Sequence, residues 1–223
     1  MYLKIAIDGA CRNNGKPNCK SAGGVFIRHM DGNVPVKYFT IDVCELNSTS
    51  QRGELLALQE ALEYVKMTGL VAQIVTDSEY MFNTITRAWY RSWQSCGWKT
   101  SRGDEVKNQD IWKAIVGILD ELEQRGIEVL MHHIKGHILS IGKVTGTNLF
   151  IEDMTGEKIY NAACKAYDEK LPKLADKIGY AQEVSAKNNG YEFNEEIMRD
   201  FAVANTVADI IATFAVEAVG IKS

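Results

Sequence analysis

The sequence predicts an α/β fold in which helices pack on a five-stranded mixed sheet. Short runs rich in β-branched residues occur three times before residue 46 and twice more after residue 70. The later runs alternate with segments whose apolar residues recur at helical spacing, so the predicted order is β-β-β-α-β-α-α-β. Hairpin-linked strands followed by β-α-β units give a sheet with both antiparallel and parallel neighbours.

The first three strands are predicted at "LKIAID", "AGGVFIRH" and "VPVKYFTIDV". The tripeptide "DGN" at 31–33 is a hairpin-turn signal between the second and third strands. A helix is expected in "SQRGELLALQEALEYVKMTG", because Leu55, Leu58, Leu62 and Val65 recur at helical spacing and Gly69 ends the segment.

The second half of the sheet is predicted from two further strands, "AQIVTDS" and "IEVLMHHIKGH". Two helices are expected between them, in "EYMFNTITRAWYRSW" and in "NQDIWKAIVGILDELEQRG", with Asp77 and Ser78 as candidate caps of the first and Gly126 as the stop of the second. Residues 138–204 do not continue this alternation. They carry 8 Lys and Arg against 11 Asp and Glu, and their best helical stretch is "EKIYNAACKAYDEKLPKLADKI".

Composition limits the class of protein. The chain has 223 residues, a net charge of −4 and 46% hydrophobic residues, as expected of one globular domain with or without an insertion. The acidic balance does not support a nucleic-acid binder of the basic-patch kind, although metal ions in an acidic site can bridge protein to phosphate. Five cysteines without CxxC spacing, no signal peptide and no apolar run of membrane-spanning length predict a cytoplasmic location without membrane attachment.

Three carboxylates are candidates for a shared site. Asp8 and Asp77 each end a predicted strand, and the carboxyl ends of such strands commonly border a crevice. Glu54 lies on the same helical stripe as Leu58 and Val65, where an unpaired carboxylate is costly. Each acid taken alone is as readily a cap, turn or surface residue. Together they indicate a site for Mg²⁺ or Mn²⁺, in which two ions can hydrolyse a phosphodiester.

The sequence resembles type 1 ribonuclease H, especially the bacterial form. The matching pieces run from about residue 3 to residue 137 and are, in order, "IDGAC", "AGGVF", "TSQRGELLALQEAL", "VTDSEY", "ITRAWYRSWQSCGWKT", "VKNQDIW" and "IKGH". The resemblance implies a ribonuclease H-like fold and an endonuclease that cuts the RNA strand of RNA–DNA hybrids with two Mg²⁺ ions, leaving 3′-hydroxyl and 5′-phosphate ends.

The resemblance also implies roles for individual residues. Asp8, Glu54 and Asp77 match three metal-binding acids, and His137 matches a loop histidine that shuttles protons or assists product release. His132 and His133 have no such match and are interpreted as strand residues. The predicted substrate contacts to strand backbones, RNA 2′-hydroxyls and a DNA phosphate are Asn14, Thr49, Ser50, Gln51 and Asn108, with Ser50 standing where the family usually has Asn. Asn108 is equally a candidate helix N-cap.

The tryptophans Trp89, Trp93 and Trp98 match a protruding substrate-binding handle. The alternative interpretation, which we favour for at least two of them, is a small aromatic core within the protrusion. The basic cluster usual in such a handle is replaced here by "QSC" at 94–96. We therefore expect weaker handle-mediated binding, because each lost phosphate contact lowers affinity and salt dependence.

The family requires a fourth carboxylate, and three positions compete for it. Asp209 ranks first because Asn205 precedes it by four residues and a closing apolar helix follows; Asp168 ranks second, and Asp153 reads as a turn. This choice predicts a ribonuclease H catalytic domain from residues 1–137 and 205–223. Residues 138–204 then form an insertion that covers the hybrid, compensates for the handle or contacts a protein partner.

The leading hypothesis is therefore a metal-dependent hybrid endonuclease that works as a monomer. The first alternative keeps the fold but changes the substrate, as in integrases, transposases or junction resolvases. The second is a degenerate ribonuclease H-fold domain that serves as a nucleic-acid-binding or assembly module, which would require loss of at least one metal ligand.

Overall fold

The computed structural model describes residues 1–13, 18–139 and 155–218. Its elements are β1 (Tyr2–Arg12), β2 (Lys20–Asp31), β3 (Val34–Leu46), α1 (Ser50–Thr68), β4 (Ala72–Thr76), α2 (Glu79–Thr86), α3 (Trp89–Ser95), α4 (Gln109–Gln124), β5 (Val129–His133), α5 (Gly156–Asn189) and α6 (Glu195–Ala218). The strands form one sheet in the order β3-β2-β1-β4-β5. β1 pairs antiparallel with β2 and parallel with β4, so the predicted five-stranded mixed sheet is confirmed.

The sheet has two covered faces, which we call the first face and the second face. The first face packs the alternate residues Leu3, Ile5 and Ile7 against α1, α2 and α4, with Trp112 fully buried among them. The second face packs Ala6, Phe26 and Val75 against α5 and α6. Because strand side chains alternate between faces, Asp8 shares the second face with Ala6.

Gly24 determines how closely α6 approaches the second face. It is the register partner of Asp8 in the β1–β2 pair. A Cβ at Gly24 would overlap the carbonyl oxygen of Ala208 and lie 2.6 Å from the backbone nitrogen of Ala212. The backbone of α6 therefore crosses β2 in direct contact, next to Asp8, and its alanines make this contact possible.

Two predicted helical segments differ from the observed ones. The segment 79–93 is not one helix, because α2 ends at Thr86 and the chain passes through Ala88 in the left-handed conformation before α3 begins. The described part of the segment 138–204, residues 138–139 and 155–204, contains the 34-residue helix α5 and the first part of α6. The predicted domain boundary between residues 204 and 205 falls inside α6, because that helix begins ten residues earlier.

α6 is the most apolar of the described helices. By length and composition alone α6 is able to cross a membrane. However, 67% of its most apolar 18-residue stretch is buried inside the structure. Asp209 interrupts the apolar run, and the buried residues of α6 belong largely to the apolar cluster on the second face of the sheet. We interpret α6 as a core helix.

Candidate active site

Asp8 lies at the centre of the candidate site. Its side chain is only 6% exposed. The backbone nitrogen of Gly9 donates a hydrogen bond to Oδ1 at 2.6 Å, and Nδ2 of Asn205 donates one to Oδ2 at 3.4 Å. The two donors come from β1 and α6, so the carboxylate is held in one orientation by its sequence neighbour and by a residue 197 positions away from Asp8.

Glu54 reaches the same region from the first face of the sheet. The start of α1 lies against β1 at Gly9, because a Cβ at Gly9 would be 2.6 Å from Cγ of Glu54. Ser78, which follows β4, hydrogen-bonds the Glu54 carboxylate. Helix α1, which begins at Ser50, therefore places Glu54 next to Gly9 and so beside Asp8.

Asp77 follows the last residue of β4, one strand away from Asp8. The backbone of Gly136 passes directly beside it, since a Cβ at Gly136 would overlap Oδ2 of Asp77. The loop after β5 is thereby brought against the carboxylate. This contact places His137, the next residue, where its charge acts on both Asp77 and Asp209.

The structure distinguishes the two leading candidates for the fourth carboxylate. Asp209 lies on α6 one turn after Asn205, hydrogen-bonds Thr213 and acts electrostatically on Asp8 and Asp77. Asp168 instead forms an exposed ion pair with Arg199, at 2.8 Å between Oδ2 and Nη2. The geometry favours Asp209. Asp153 lies outside the described residues.

All four carboxyl groups have pKa values above their ordinary values. Burial raises the pKa of Asp8 well above its ordinary value, and the charges of Asp77, Asp209 and Glu54 raise it further, against the opposing hydrogen bond from Gly9. Burial is also the main reason that the pKa values of Glu54, Asp77 and Asp209 are raised. The positive charge of His137 lowers the pKa of Asp77 and Asp209 but does not offset burial.

This arrangement has the chemistry of a site for hard cations. Four carboxylates supply only oxygen ligands, and divalent Mg²⁺ or Mn²⁺ would remove their mutual repulsion. Within the described ranges, no three His, Cys, Asp or Glu side chains are arranged to hold one ion together. A two-ion site does not need three protein ligands around one ion, because it shares its carboxylates between the two ions. Like charges also repel one another, and cations between them would remove that repulsion. The four carboxylates therefore fit a two-ion site.

The two neighbouring histidines belong to β5, as the sequence predicts. Burial lowers the pKa of His132 to about 4, with a further contribution from Lys4. Burial likewise lowers the pKa of His133, whose ring packs against Phe82. Both are neutral structural residues, in contrast to the exposed His137.

The predicted substrate contacts lie around the starts of α1 and α4. Thr49 is the N-cap of α1, and Ser50 and Gln51 are its first residues; Asn108 is the N-cap of α4 in a left-handed conformation, without a capping bond from its side chain. Arg52 joins the two helix starts through Asp110, at 2.6 Å between Nη2 and Oδ2. Asn14 lies outside the described residues.

The handle tryptophans divide as expected between packing and exposure. Trp93 packs edge-on against Trp112, and Trp98 lies under the Lys113 ammonium; both contact the first-face core. Trp89 is 38% exposed. An aromatic core thus accounts for two of the three tryptophans.

The structure adds residues that sequence patterns did not identify. Ser78 and Thr213 bond site carboxylates, and Lys177, Ser185 and Asn189 of α5 contact the chain around His137. Ser78 could have been predicted as a site residue, because it is adjacent to Asp77 in sequence. The α5 residues have no such signal, because their contacts are made about 40 to 56 positions away in sequence.

The comparisons with known proteins agree with this geometry. A family model described as RNase H matches residues 2–148, well over half of the chain. The chain therefore belongs to the RNase H family and is a ribonuclease H enzyme. The match ends before α5 begins.

Individual relatives cover the same part of the chain. The ribonuclease H of Syntrophomonas wolfei subsp. wolfei is 35% identical over 133 residues, which are 60% of this chain and 82% of that protein. The ribonuclease H of Jannaschia sp. is 38% identical over 130 residues, or 58% and 76%. The solved structure of LC9-RNase H1, a type 1 RNase H with the type 2 active-site motif, aligns with a TM-score of 0.51 at 23% identity, covers 61% of this chain and 64% of that one, and supports the fold.

Proposed function

We propose that the enzyme hydrolyses the RNA strand of RNA–DNA hybrids with two Mg²⁺ ions, or Mn²⁺ in their place, and leaves 3′-hydroxyl and 5′-phosphate ends. The observation that carries this proposal is the convergence of Asp8, Glu54, Asp77 and Asp209 from β1, α1, β4 and α6. Membership of the RNase H family supports the substrate class.

The four carboxylates would hold the ions, which when bound supply an activated water and stabilise the leaving oxygen. The protein's own groups prepare these ligands. Asn205 and the Gly9 amide orient Asp8, while Ser78 and Thr213 do the same for Glu54 and Asp209. Fixed donors of this kind lower the cost of organising the site during the reaction.

His137 would exchange protons at the edge of the carboxylate group. Imidazole suits this task because it titrates near neutral pH. Its exposed position beside Asp77 and Asp209 leaves it accessible to water and to a departing product.

The substrate would be gripped away from the carboxylates. Thr49 and Asn108 stand at the two helix starts joined by Arg52 and Asp110, which fits a pocket for one phosphate of the DNA strand. Gln51, Ser50 and Asn14 would contact strand backbones and 2′-hydroxyls, which distinguish RNA from DNA without reading bases. Trp89 would contribute an exposed aromatic surface from the handle.

A cleavage assay tests the proposal. The substrate is an end-labelled RNA–DNA hybrid, with single-stranded RNA, double-stranded RNA and double-stranded DNA as controls, each with and without Mg²⁺. We expect cleavage of the hybrid alone, only with the cation, and product ends that a 5′-phosphate-dependent exonuclease accepts. An enzyme that leaves the hybrid intact under these conditions refutes the proposal.

The fourth ligand is tested by a matched pair. Asp209→Asn should reduce kcat by roughly a thousand-fold, the scale of losing a group that stabilises the transition state. Asp168→Asn should leave kcat within about two-fold, since it alters only an exposed ion pair. Normal activity of the Asp209 variant would exclude that residue as a ligand.

A further inference from the structure

Helix α5 covers the free edge of β5, where an outermost strand has unpaired backbone groups. The backbone nitrogen of His133 donates to Oδ1 of Asn189 at 2.9 Å, and Nδ2 of Asn189 donates to the His133 carbonyl oxygen at 2.7 Å. One side-chain amide thus bonds both backbone groups of one residue, as a neighbouring strand would. At His133, the last residue of β5, the edge of the sheet is therefore closed by a side chain of α5.

The next outward-facing amide is bound in the same way. The nitrogen of Lys135 donates to Oγ of Ser185 at 3.3 Å. Ser185 is fully buried, and its carbonyl oxygen accepts a second bond from Nδ2 of Asn189 at 2.7 Å. Asn188 bonds Nδ1 of His133 at 3.1 Å. These linked bonds fix one turn of α5 to residues 133–135.

The contact extends to the loop that carries His137. Nζ of Lys177 donates to the carbonyl oxygen of His137, two turns before Ser185 along α5. His137 has φ +55°, a left-handed conformation that costs energy for a residue with a side chain and persists only where neighbours hold it. On the other side, Oγ1 of Thr206 in α6 donates to the carbonyl oxygen of Leu139 at 3.4 Å.

We propose that α5 positions the active-site loop, with Asn189, Ser185 and Lys177 as positioning residues that fix His137 beside Asp77 and Asp209. This inference rests on the proposed function, because it gives His137 a part in the reaction. It also assigns a role to α5, which is the larger described part of the segment 138–204. Helix α5 supports the loop from outside the sheet, and its positioning residues act through the loop without touching the substrate.

Three variants probe this contact with decreasing structural disturbance: Asn189→Ala, Ser185→Ala and Lys177→Ala. Each should lower kcat on the hybrid, by about ten- to a hundred-fold for Asn189, since small misplacements of a reacting group have effects of this size. KM should stay within about two-fold, because the predicted substrate contacts lie on other elements. Ser185→Thr retains the hydroxyl but adds a methyl group at a fully buried position, so it should restore part of the lost rate.

Matched controls separate positioning from general loss of stability. Asp168→Asn breaks a contact between α5 and α6 without touching β5, and Lys173→Ala removes an exposed lysine one turn from Lys177. Both should retain the wild-type kcat. Equal losses in the controls and in Lys177→Ala would overturn the inference.

A double-mutant cycle tests whether Asn189 acts through His137. In a His137→Ala background, adding Asn189→Ala should cause little further loss of kcat, because the group being positioned is already gone. If the two losses multiply, Asn189 acts by another route and the inference is wrong.

Amide hydrogen exchange provides a readout that does not depend on activity. In Asn189→Ala and Ser185→Ala the amides of His133 and Lys135 should exchange faster, while the amide of Ile134, bonded to Thr76 of β4 at 3.0 Å, stays protected. Wild-type protein that fails to cleave the hybrid refutes the proposed function. Wild-type cleavage together with faster exchange and unchanged kcat in both variants refutes the positioning role alone.

Discussion

The two faces of the sheet position the same site by different means. On the first face, α1 follows β3 directly and delivers Glu54 through a dense apolar cluster that includes Trp112. On the second face, α6 returns from the end of the chain and packs alanines against Gly24. Its alignment also uses buried polar contacts, among them the bond from Asn205 to Asp8.

The difference concerns the kind of energy that fixes each carboxylate. Apolar burial is strong but nondirectional, so it suits a helix whose sequence neighbours already restrict its placement. A helix that packs on strands far from it in sequence needs directional contacts to fix its position along those strands. On the second face these contacts are the Asn205 bond and an ion group in which Asp200 of α6 joins Arg28 of β2 and Lys4 of β1. We therefore expect the second face to be more sensitive to polar substitutions.

The largest expected effect comes from Asp200→Asn. Arg28 is only 2% exposed, and Asp200 is its carboxylate partner. Burial alone raises the pKa of Asp200, but the charges of Arg28 and Lys4 hold it below its ordinary value, so the group is ionised at neutral pH. The substitution leaves a buried guanidinium without a counter-charge and should lower the free energy of unfolding by about 3 kcal/mol. Urea denaturation measures this loss.

The control on the first face is Asp110→Asn. Asp110 pairs with Arg52, but its side chain is 63% exposed and Arg52 retains Glu45 as a partner. A loss of under about 1 kcal/mol is expected. Equal losses from the two variants would show that the faces do not differ in their dependence on charge.

A smaller loss is expected from adding one methyl group to either face. Gly24→Ala would push against the α6 backbone, and Gly23→Ala would place Cβ 2.5 Å from the carbonyl oxygen of Gly53 in α1. Overpacking of this kind costs about 1 to 3 kcal/mol. Gly24→Ala should shift α6, displace Asp209 and so reduce the stability that Mg²⁺ binding adds. Gly23→Ala should instead shift α1 and change the same quantity by displacing Glu54. Thermal unfolding with and without Mg²⁺ measures both, and an unchanged Mg²⁺ effect in Gly24→Ala would contradict the placement of Asp209.

The first face was predictable because its signals are local. Leu55, Leu58 and Leu62 recur at helical spacing, and Glu54 interrupts their stripe in a recognisable way. Asp77 was identifiable because an acid that follows a strand lies at the edge of the sheet. The prediction that Asp8 also ends its strand was wrong, since β1 continues to Arg12; Asp8 instead lies two residues beyond the last β1–β4 pair, beside the end of β4. The break at Ala88 was missed, since a single left-handed residue between two helical segments leaves the apolar pattern almost intact.

The second face was predictable only in part. The spacing of Asn205 and Asp209 on one helical face indicated the site, because that relation is confined to five residues. The contact of Asn189 with His133 has no counterpart in local pattern, since amide side chains are common on helix surfaces and the partner is backbone. The length of α5 was also underestimated, as its scattered glycines and asparagines resemble loop composition.

Asp8→Asn should stabilise the cation-free protein while abolishing cleavage. The pKa of Asp8 is raised in the folded state, so above the ordinary carboxyl pKa the folded protein carries a penalty for ionising this group that the unfolded chain does not. The variant removes that penalty and should gain on the order of 1 kcal/mol near neutral pH. Thermal unfolding in a chelator measures the difference.

The pH dependence gives this prediction its sign. A raised pKa means that the stability of the cation-free wild type falls as pH rises from the ordinary carboxyl pKa through the raised folded-state value. The advantage of Asp8→Asn should therefore be small in acid and full near neutral pH. With saturating Mg²⁺ the order should reverse, because only the wild type gains full binding energy. An advantage that does not change with pH would contradict the electrostatic explanation.

The smallest expected effect is on the salt dependence of hybrid binding, and it distinguishes the handle, on the first-face side, from α5 on the second face. Gln94, Ser95 and Cys96 are exposed at the tip of α3, where the basic cluster is absent, and Arg91 is occupied by Asp120 and Glu123. Replacing Gln94 and Ser95 by Lys should strengthen hybrid binding and steepen the plot of log affinity against log salt by about 0.7 to 0.9 per new phosphate contact.

Lys173→Ala in α5 should leave that slope unchanged, because α5 supports the loop and does not bind phosphate. Binding of a hybrid by the Asp209→Asn variant at several salt concentrations measures both slopes. If Lys173→Ala makes the slope less steep, part of the substrate-binding surface lies on α5, on the second face.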